Sequence, residues 1–160
     1  MLQADEVFNK AEEIERKGAR FYRDAAQRAP TDEVKRMLLD LAAMEDGHLQ
    51  IFQQMREEFR NCKKDNVALK SDTDVASYIE MTNDYGTSGG VESTLEQLTG
   101  RETVEEIFRI AIEAENRSIL FYVGLKHMVQ TKADKDRLEA VIKEEMSHVV
   151  SLNLSLATLI

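Results

Sequence analysis

Two short stretches of this sequence pair a carboxylate with an imidazole at helical spacing: Met44-Glu45-Asp46-Gly47-His48 and Glu144-Glu145-Met146-Ser147-His148. Residues at i and i+3 project from one face of a helix. Each Glu-x-x-His can therefore offer two ligand atoms to one point, as a metal held between helices requires. A single copy arises by chance in acidic helices, but these two lie 100 residues apart in matching surroundings. Thirty residues before Glu45 stands Glu15, followed by Phe21-Tyr22; thirty before Glu145 stands Glu115, followed by Phe121-Tyr122. Both upstream stretches read Ala-x-Glu-x-Glu-x-x-x-x-x-Phe-Tyr, from Ala11 and from Ala111. The chain reads as a tandem repeat of one helical hairpin whose repeated polar residues are ligand types.

Glu15, Glu45, His48, Glu115, Glu145 and His148 supply four carboxylates and two imidazoles. In a four-helix bundle all six can converge at one level of the core. A Glu from each of two helices, plus Glu-x-x-His from each of the other two, is the ligand set of di-iron and di-manganese carboxylate bundles. Charge explains the count, because four carboxylates cancel the charge of two divalent cations in a buried site. Carboxylates can also bridge both ions and hold them roughly 3.5–4 Å apart. Mixed nitrogen and oxygen ligation suits iron or manganese better than all-oxygen calcium sites or thiolate-rich zinc sites.

The elements that must position these groups are long helices. Val7, Phe8, Ala11, Ile14, Ala19, Phe21, Tyr22 and Ala26 form an apolar stripe that predicts a first helix over 5–29. Pro30 stops it, and Thr31 or Asp32 caps a second helix over 32–60. Met37, Leu38, Leu41, Met44, Leu49, Phe52 and Met55 form its core face, with Glu45 and His48 set among them. An acid within an apolar stripe is costly to bury unless something pairs with it. Thr103-x-x-Glu106 has the form of a capping box and opens a third helix over 102–129. After a turn near Thr131, a fourth over 132–158 carries Leu138, Val141, Ile142, Glu145, His148, Val149, Leu152 and Leu156. Residues 61–101 form a long crossover: a polar loop at 61–66, a possible short helix over 74–83, and a flexible Gly86–Gly90 segment. The expectation is one all-α domain over 1–160, a four-helix bundle of two hairpins joined by that crossover.

Composition narrows the function classes. The chain has 160 residues with 42% hydrophobic and 32% charged content, enough to bury a real core. A formal net charge of −9 argues against nucleic acid as a partner, since phosphates call for a basic surface. The N-terminus lacks the basic and apolar regions of a signal peptide, and no apolar run is long enough to span a bilayer. A cytoplasmic protein with no membrane partner is the expectation. The apolar end, Val149 to Ile160, reads as the last turns of a buried helix or as a subunit contact. The one cysteine, Cys62, excludes an internal disulfide and a four-cysteine iron site within these residues.

An ordinary glutamate on a helix is a solvated charge, and Glu6, Glu12, Glu33, Glu57, Glu105 and Glu139 take that reading. Glu13, Glu113 and Glu144 turn away from the proposed centre, toward solvent or groups behind the ligands. Tyr22 and Tyr122 follow Glu15 and Glu115 by two helical turns, as core aromatics or as phenols that hydrogen-bond a ligating carboxylate. His127 has no repeat partner and reads as a surface residue; the methionines read as core filler. Gly47, between Glu45 and His48, marks a place where a neighbouring helix could come close.

These residues resemble the ferritin-like di-iron proteins and, within them, the rubrerythrin-like branch, over nearly the whole chain except the crossover. The resemblance implies a homodimeric or larger ferritin-like bundle with two iron ions per chain, or manganese or a mixed pair. Glu15, Glu45, His48, Glu115, Glu145 and His148 would be the ligands. It implies a non-haem di-iron oxidoreductase acting on hydrogen peroxide or dioxygen. Two departures shape that expectation. Full-length rubrerythrins add a four-cysteine, rubredoxin-like electron donor; with Cys62 alone, the expectation here is an external donor such as a rubredoxin-type protein. Many rubrerythrins also place a further carboxylate one turn after the third-helix ligand, where it helps iron move during peroxide reduction. Ser118 stands there. The alternative function is a ferroxidase or iron-storage protein without a separate substrate, and a third is a metal-dependent interaction module.

Overall fold

The helical periodicities become five α-helices in the computed structural model, which describes residues 4–62, 73–84 and 99–159. They are α1 (Ala4–Ala26), α2 (Asp32–Asn61), α3 (Thr73–Asp84), α4 (Val104–Met128) and α5 (Lys132–Leu159). No strand occurs among the described residues. The predicted segments at 63–66 and Gly86–Gly90 lie outside the described residues.

Local chemistry sets the helix ends. The first helix stops at Ala26 rather than Ala29, because the residue before Pro30 is pushed out of the α region. The chain tightens there into i→i+3 bonds, Gln27 N–H to Asp24 O at 3.2 Å and Arg28 N–H to Ala25 O at 3.0 Å. Thr31 caps α2, its hydroxyl accepting from Val34 N–H. Thr103 and Glu106 form both halves of a capping box at α4, and Thr131 accepts from Asp134 N–H at the start of α5.

Short links leave α1 with α2, and α4 with α5, as two antiparallel hairpins. They face each other with α2 against α5 and α1 against α4. The core falls into two apolar clusters. One joins Val7, Phe8, Phe52 and Met55 to Phe121, Tyr122, Leu125, Leu138 and Val141. The other joins Phe21, Tyr22, Leu38 and Leu41 to Ile107, Phe108, Leu152 and Leu156. Adding 100 to a residue number carries most of one cluster onto the other, so the sequence repeat appears in space as a pseudo-twofold arrangement. A buried polar layer lies between the clusters.

The crossover contributes α3, which packs on the outside of α4. Gly124 makes the contact close: a Cβ there would sit 3.0 Å from Ile79 Cγ1 and from the Tyr78 ring. Ile79 is fully buried, and Tyr78 donates a hydrogen bond to Leu120 O at 3.3 Å. No helix among the described residues is long and apolar enough to cross a membrane.

Three expectations need correction. Met44 and Met146 are 37% and 50% exposed, so they lie at the edge of their stripes rather than in the core. Along the last helix Leu152 and Leu156 are buried while Val150 and Leu154 face outward. Glu12 is buried rather than solvated, because Arg56 reaches across from α2 to donate to it at 3.3 Å, and Arg16 lies one turn along. Nothing approaches a Cβ built at Gly47, which is exposed and marks no helix contact.

Two glycine substitutions separate propensity from packing. Gly47→Ala should stabilise the protein by about 1 kcal/mol, the ordinary gain in an exposed helix. Gly124→Ala gains the same propensity but overpacks the α3 contact, which typically costs ~1–3 kcal/mol, so its melting temperature should not rise. Equal increases in the two variants would contradict close docking of α3 on α4.

Candidate metal centre

The polar layer holds all six residues singled out by spacing. Glu15 and Glu145 are fully buried, His48 and His148 are 1% exposed, and Glu45 and Glu115 are 4% exposed. α1 delivers Glu15 and α4 delivers Glu115; α2 brings Glu45 with His48, and α5 brings Glu145 with His148. The Glu-x-x-His spacing works as expected, one turn placing both side chains inward.

The six form two overlapping groups. One contains Glu15, Glu45, Glu145 and His48; the other contains Glu115, Glu45, Glu145 and His148. Within each, one ligand atom per residue lies within 4.8 Å of all the others. Glu45 and Glu145 belong to both, which places the two Glu-x-x-His carboxylates where they could bridge a pair of cations. His48 Nδ1 lies 3.2 Å from Glu145 and 3.5 Å from Glu15. His148 Nδ1 lies 3.0 Å from Glu145, 3.1 Å from Glu45 and 3.4 Å from Glu115. The two rings stack at 5.8 Å between centroids.

Close approach does not satisfy these atoms. Both Nδ1 atoms, both Glu145 oxygens, Glu15 Oε2 and Glu45 Oε1 are buried without a hydrogen-bond partner. Buried polar atoms left unpaired are expensive, and a fold does not gather them at one point unless something else joins them there. Four carboxylate oxygens and two imidazole nitrogens facing inward form a donor set that fits iron.

Two phenols brace the carboxylates, and they do so crosswise. Tyr22 on α1 donates to Glu115 on α4, while Tyr122 on α4 donates to Glu15 on α1. Each tyrosine thus serves the opposite half of the repeat. Burial first, then the neighbouring carboxylates, pushes both phenols well above their usual pKa, so they remain proton donors. Spacing placed each tyrosine near the centre but could not reveal which carboxylate it serves.

Two further residues shape the layer. Gly18 leaves room for Glu45: a Cβ there would meet Glu45 Oε2 at 3.3 Å. The signal available in sequence was a glycine in a helix interior, one turn after Glu15. Glu144 reaches from α5 to His48 Nε2 at 2.7 Å. Ser118 adds nothing to the cluster, as its hydroxyl donates to Ala114 O at 3.0 Å within its own helix. Cys62 is exposed and free, and His127 is exposed.

Protons offset part of the crowded negative charge in this layer. Burial, then repulsion from Glu45 and Glu145, raises the Glu15 carboxyl well above the usual range. Burial and Glu145 raise Glu115 to about 8. Burial opposes charge on the histidines, but the surrounding carboxylates more than offset it, holding His48 at about 9 and His148 at about 12. Burial, then repulsion from Glu45, disfavours charge on Glu145, yet the close imidazoles of His148 and His48 prevail and lower its pKa.

The rubrerythrin family profile matches residues 6–154 of the chain. A crystal structure from Thermotoga maritima, of a protein provisionally described as ferritin-like and diiron-carboxylate, superposes with a TM-score of 0.70. It shares 20% identity, over 98% of this chain and 95% of that one, which establishes a common fold. No curated protein matches the sequence significantly.

These shifted proton affinities predict how the metal-free protein responds to pH. Glu15, Glu115, His48 and His148 all bind protons more tightly folded than unfolded, where carboxyl and imidazole titrate near 4.5 and 6.5. Their stabilisation is complete below those unfolded values and is lost as pH rises toward the folded ones. Glu145 has the opposite sign, but its loss falls below about pH 4.5. The melting temperature of the metal-free protein should therefore fall from pH 5 to 8, and saturating Mn(II) should raise it and flatten the fall. A metal-free melting temperature that rises across that range would contradict this account.

Proposed function

Because the chain belongs to the rubrerythrin family, we propose that Glu15, Glu45, His48, Glu115, Glu145 and His148 hold two iron ions per chain. On this reading the protein is a non-haem di-iron oxidoreductase that reduces hydrogen peroxide or dioxygen with electrons from an external donor protein. The observation that carries the reading is the pair of overlapping buried clusters sharing Glu45 and Glu145, with their unpartnered atoms turned inward. A bound iron pair would supply electrons for the two-electron reduction of an O–O bond.

The chain's own residues perform the rest. Glu45 and Glu145 would be shared by the two cations, while Glu15 with His48 and Glu115 with His148 would complete the two ends. Tyr122 and Tyr22 fix the orientation of Glu15 and Glu115, so those carboxylates do not swing freely when the charge of the centre changes. The apolar clusters on either side keep the layer from bulk water.

Ferroxidase action, in which Fe(II) itself is oxidised by dioxygen, is the second reading. Ser118 favours it, since a serine tied to its own backbone provides none of the extra carboxylate expected of a peroxide-reducing rubrerythrin.

The test is anaerobic loading with Fe(II), followed by rapid mixing with peroxide or with air. Faster oxidation by peroxide supports the peroxidase reading; preferential oxidation by air supports the ferroxidase one. Glu45→Ala removes a carboxylate common to both clusters and should abolish metal-dependent oxidation by either. Wild-type rates in that variant would contradict the site assignment.

A further inference from the structure

The 100-residue repeat makes the two ends of the polar layer nearly equivalent, yet one difference falls directly behind the imidazoles. Nε2 of His48 lies 2.7 Å from Glu144 Oε2. Nε2 of His148 is buried and has no hydrogen-bond partner. The repeat position of Glu144 is Met44, whose thioether is at best a weak acceptor. One half of the repeat thus carries a carboxylate behind its partner's imidazole, and the other half does not.

This matters because an imidazole that ligates through Nδ1 must keep its proton on Nε2. An acceptor at Nε2 selects that tautomer, fixes the ring plane and makes Nδ1 more basic. Loss of such a partner commonly lowers metal affinity by about 10–100-fold. Glu144 is 52% exposed on its side chain, so water competes for its oxygens and the effect belongs near the lower end. His148 Nε2 gains no such help from water, since it is enclosed.

We propose that Glu144 is a positioning residue that makes the two cation sites unequal. The site at His48 and Glu15 binds the tighter ion, and the site at His148 and Glu115 binds the weaker one. The inference rests on the six-ligand reading above and adds an order of filling to it. Glu144 touches neither cation; it acts through His48. Behind the imidazoles, Glu144 against Met44 sets the two matched ends apart.

Anaerobic calorimetric titration of Fe(II) into the metal-free full-length chain tests this. Wild type should bind two ions in steps separated by about 10-fold in affinity. Glu144→Ala should weaken the tighter step by about 10-fold, leave the weaker step in place and preserve the stoichiometry. Glu144→Gln retains an amide oxygen able to accept from Nε2–H and should restore much of the loss, which a purely structural role would not require. Met44→Glu should tighten the weaker step. A single affinity class in wild type, an unchanged tight step in Glu144→Ala, or equal weakening of both steps would overturn the proposal. A wild-type stoichiometry below two would instead overturn the six-ligand reading on which it stands.

Discussion

Four carboxylates share the middle of an otherwise apolar bundle, and their mutual repulsion is the constraint to which the rest of the structure answers. Moving even one ionised carboxylate from water into such surroundings costs several kcal/mol after relaxation. Here Glu15, Glu45, Glu115 and Glu145 converge at one level. The chain offsets part of this with two imidazoles and two phenols, and protons offset more. Atoms on both Glu-x-x-His motifs and on Glu15 nonetheless remain unpaired. Divalent cations would remove the repulsion and satisfy those atoms together, at the expense of the protons now held there.

The surrounding architecture makes that crowding tolerable. Apolar clusters above and below the layer each draw residues from both hairpins, so the halves cannot separate without exposing core. The crossed tyrosine bonds join the hairpins again at the level of the carboxylates. Outside the layer, Arg56 gathers Asp5, Asn9 and Glu12 between α1 and α2, and Arg137 ties α5 to Glu58 on α2. A solvent-facing pair such as Arg137–Glu58 contributes only about 0–1 kcal/mol, far less than the apolar clusters.

Much of this was legible in the sequence because a repeat carries its own control. Glu15 and Glu115 stand out from many other glutamates only because each precedes a Glu-x-x-His by the same interval. What remained hidden depended on contacts between segments distant in sequence. Glu12 looked like a solvated charge because its partner, Arg56, belongs to another helix. Met44 and Met146 looked like core because a 3.6-residue stripe has edges that periodicity alone cannot locate. The crosswise service of the tyrosines follows from the pseudo-twofold arrangement of the hairpins, which no single helix encodes. Gly18 was visible as a glycine, but the carboxylate occupying the space beside it was not.

The most direct test of a shared dinuclear centre is anomalous diffraction at the iron edge from crystals of the iron-loaded protein. The account predicts two peaks per chain, roughly 3.5–4 Å apart, both in contact with Glu45 and Glu145. One peak lying nearer His48, the other nearer His148, would match the two clusters. A single central peak, or iron found only on the acidic surface, would contradict it.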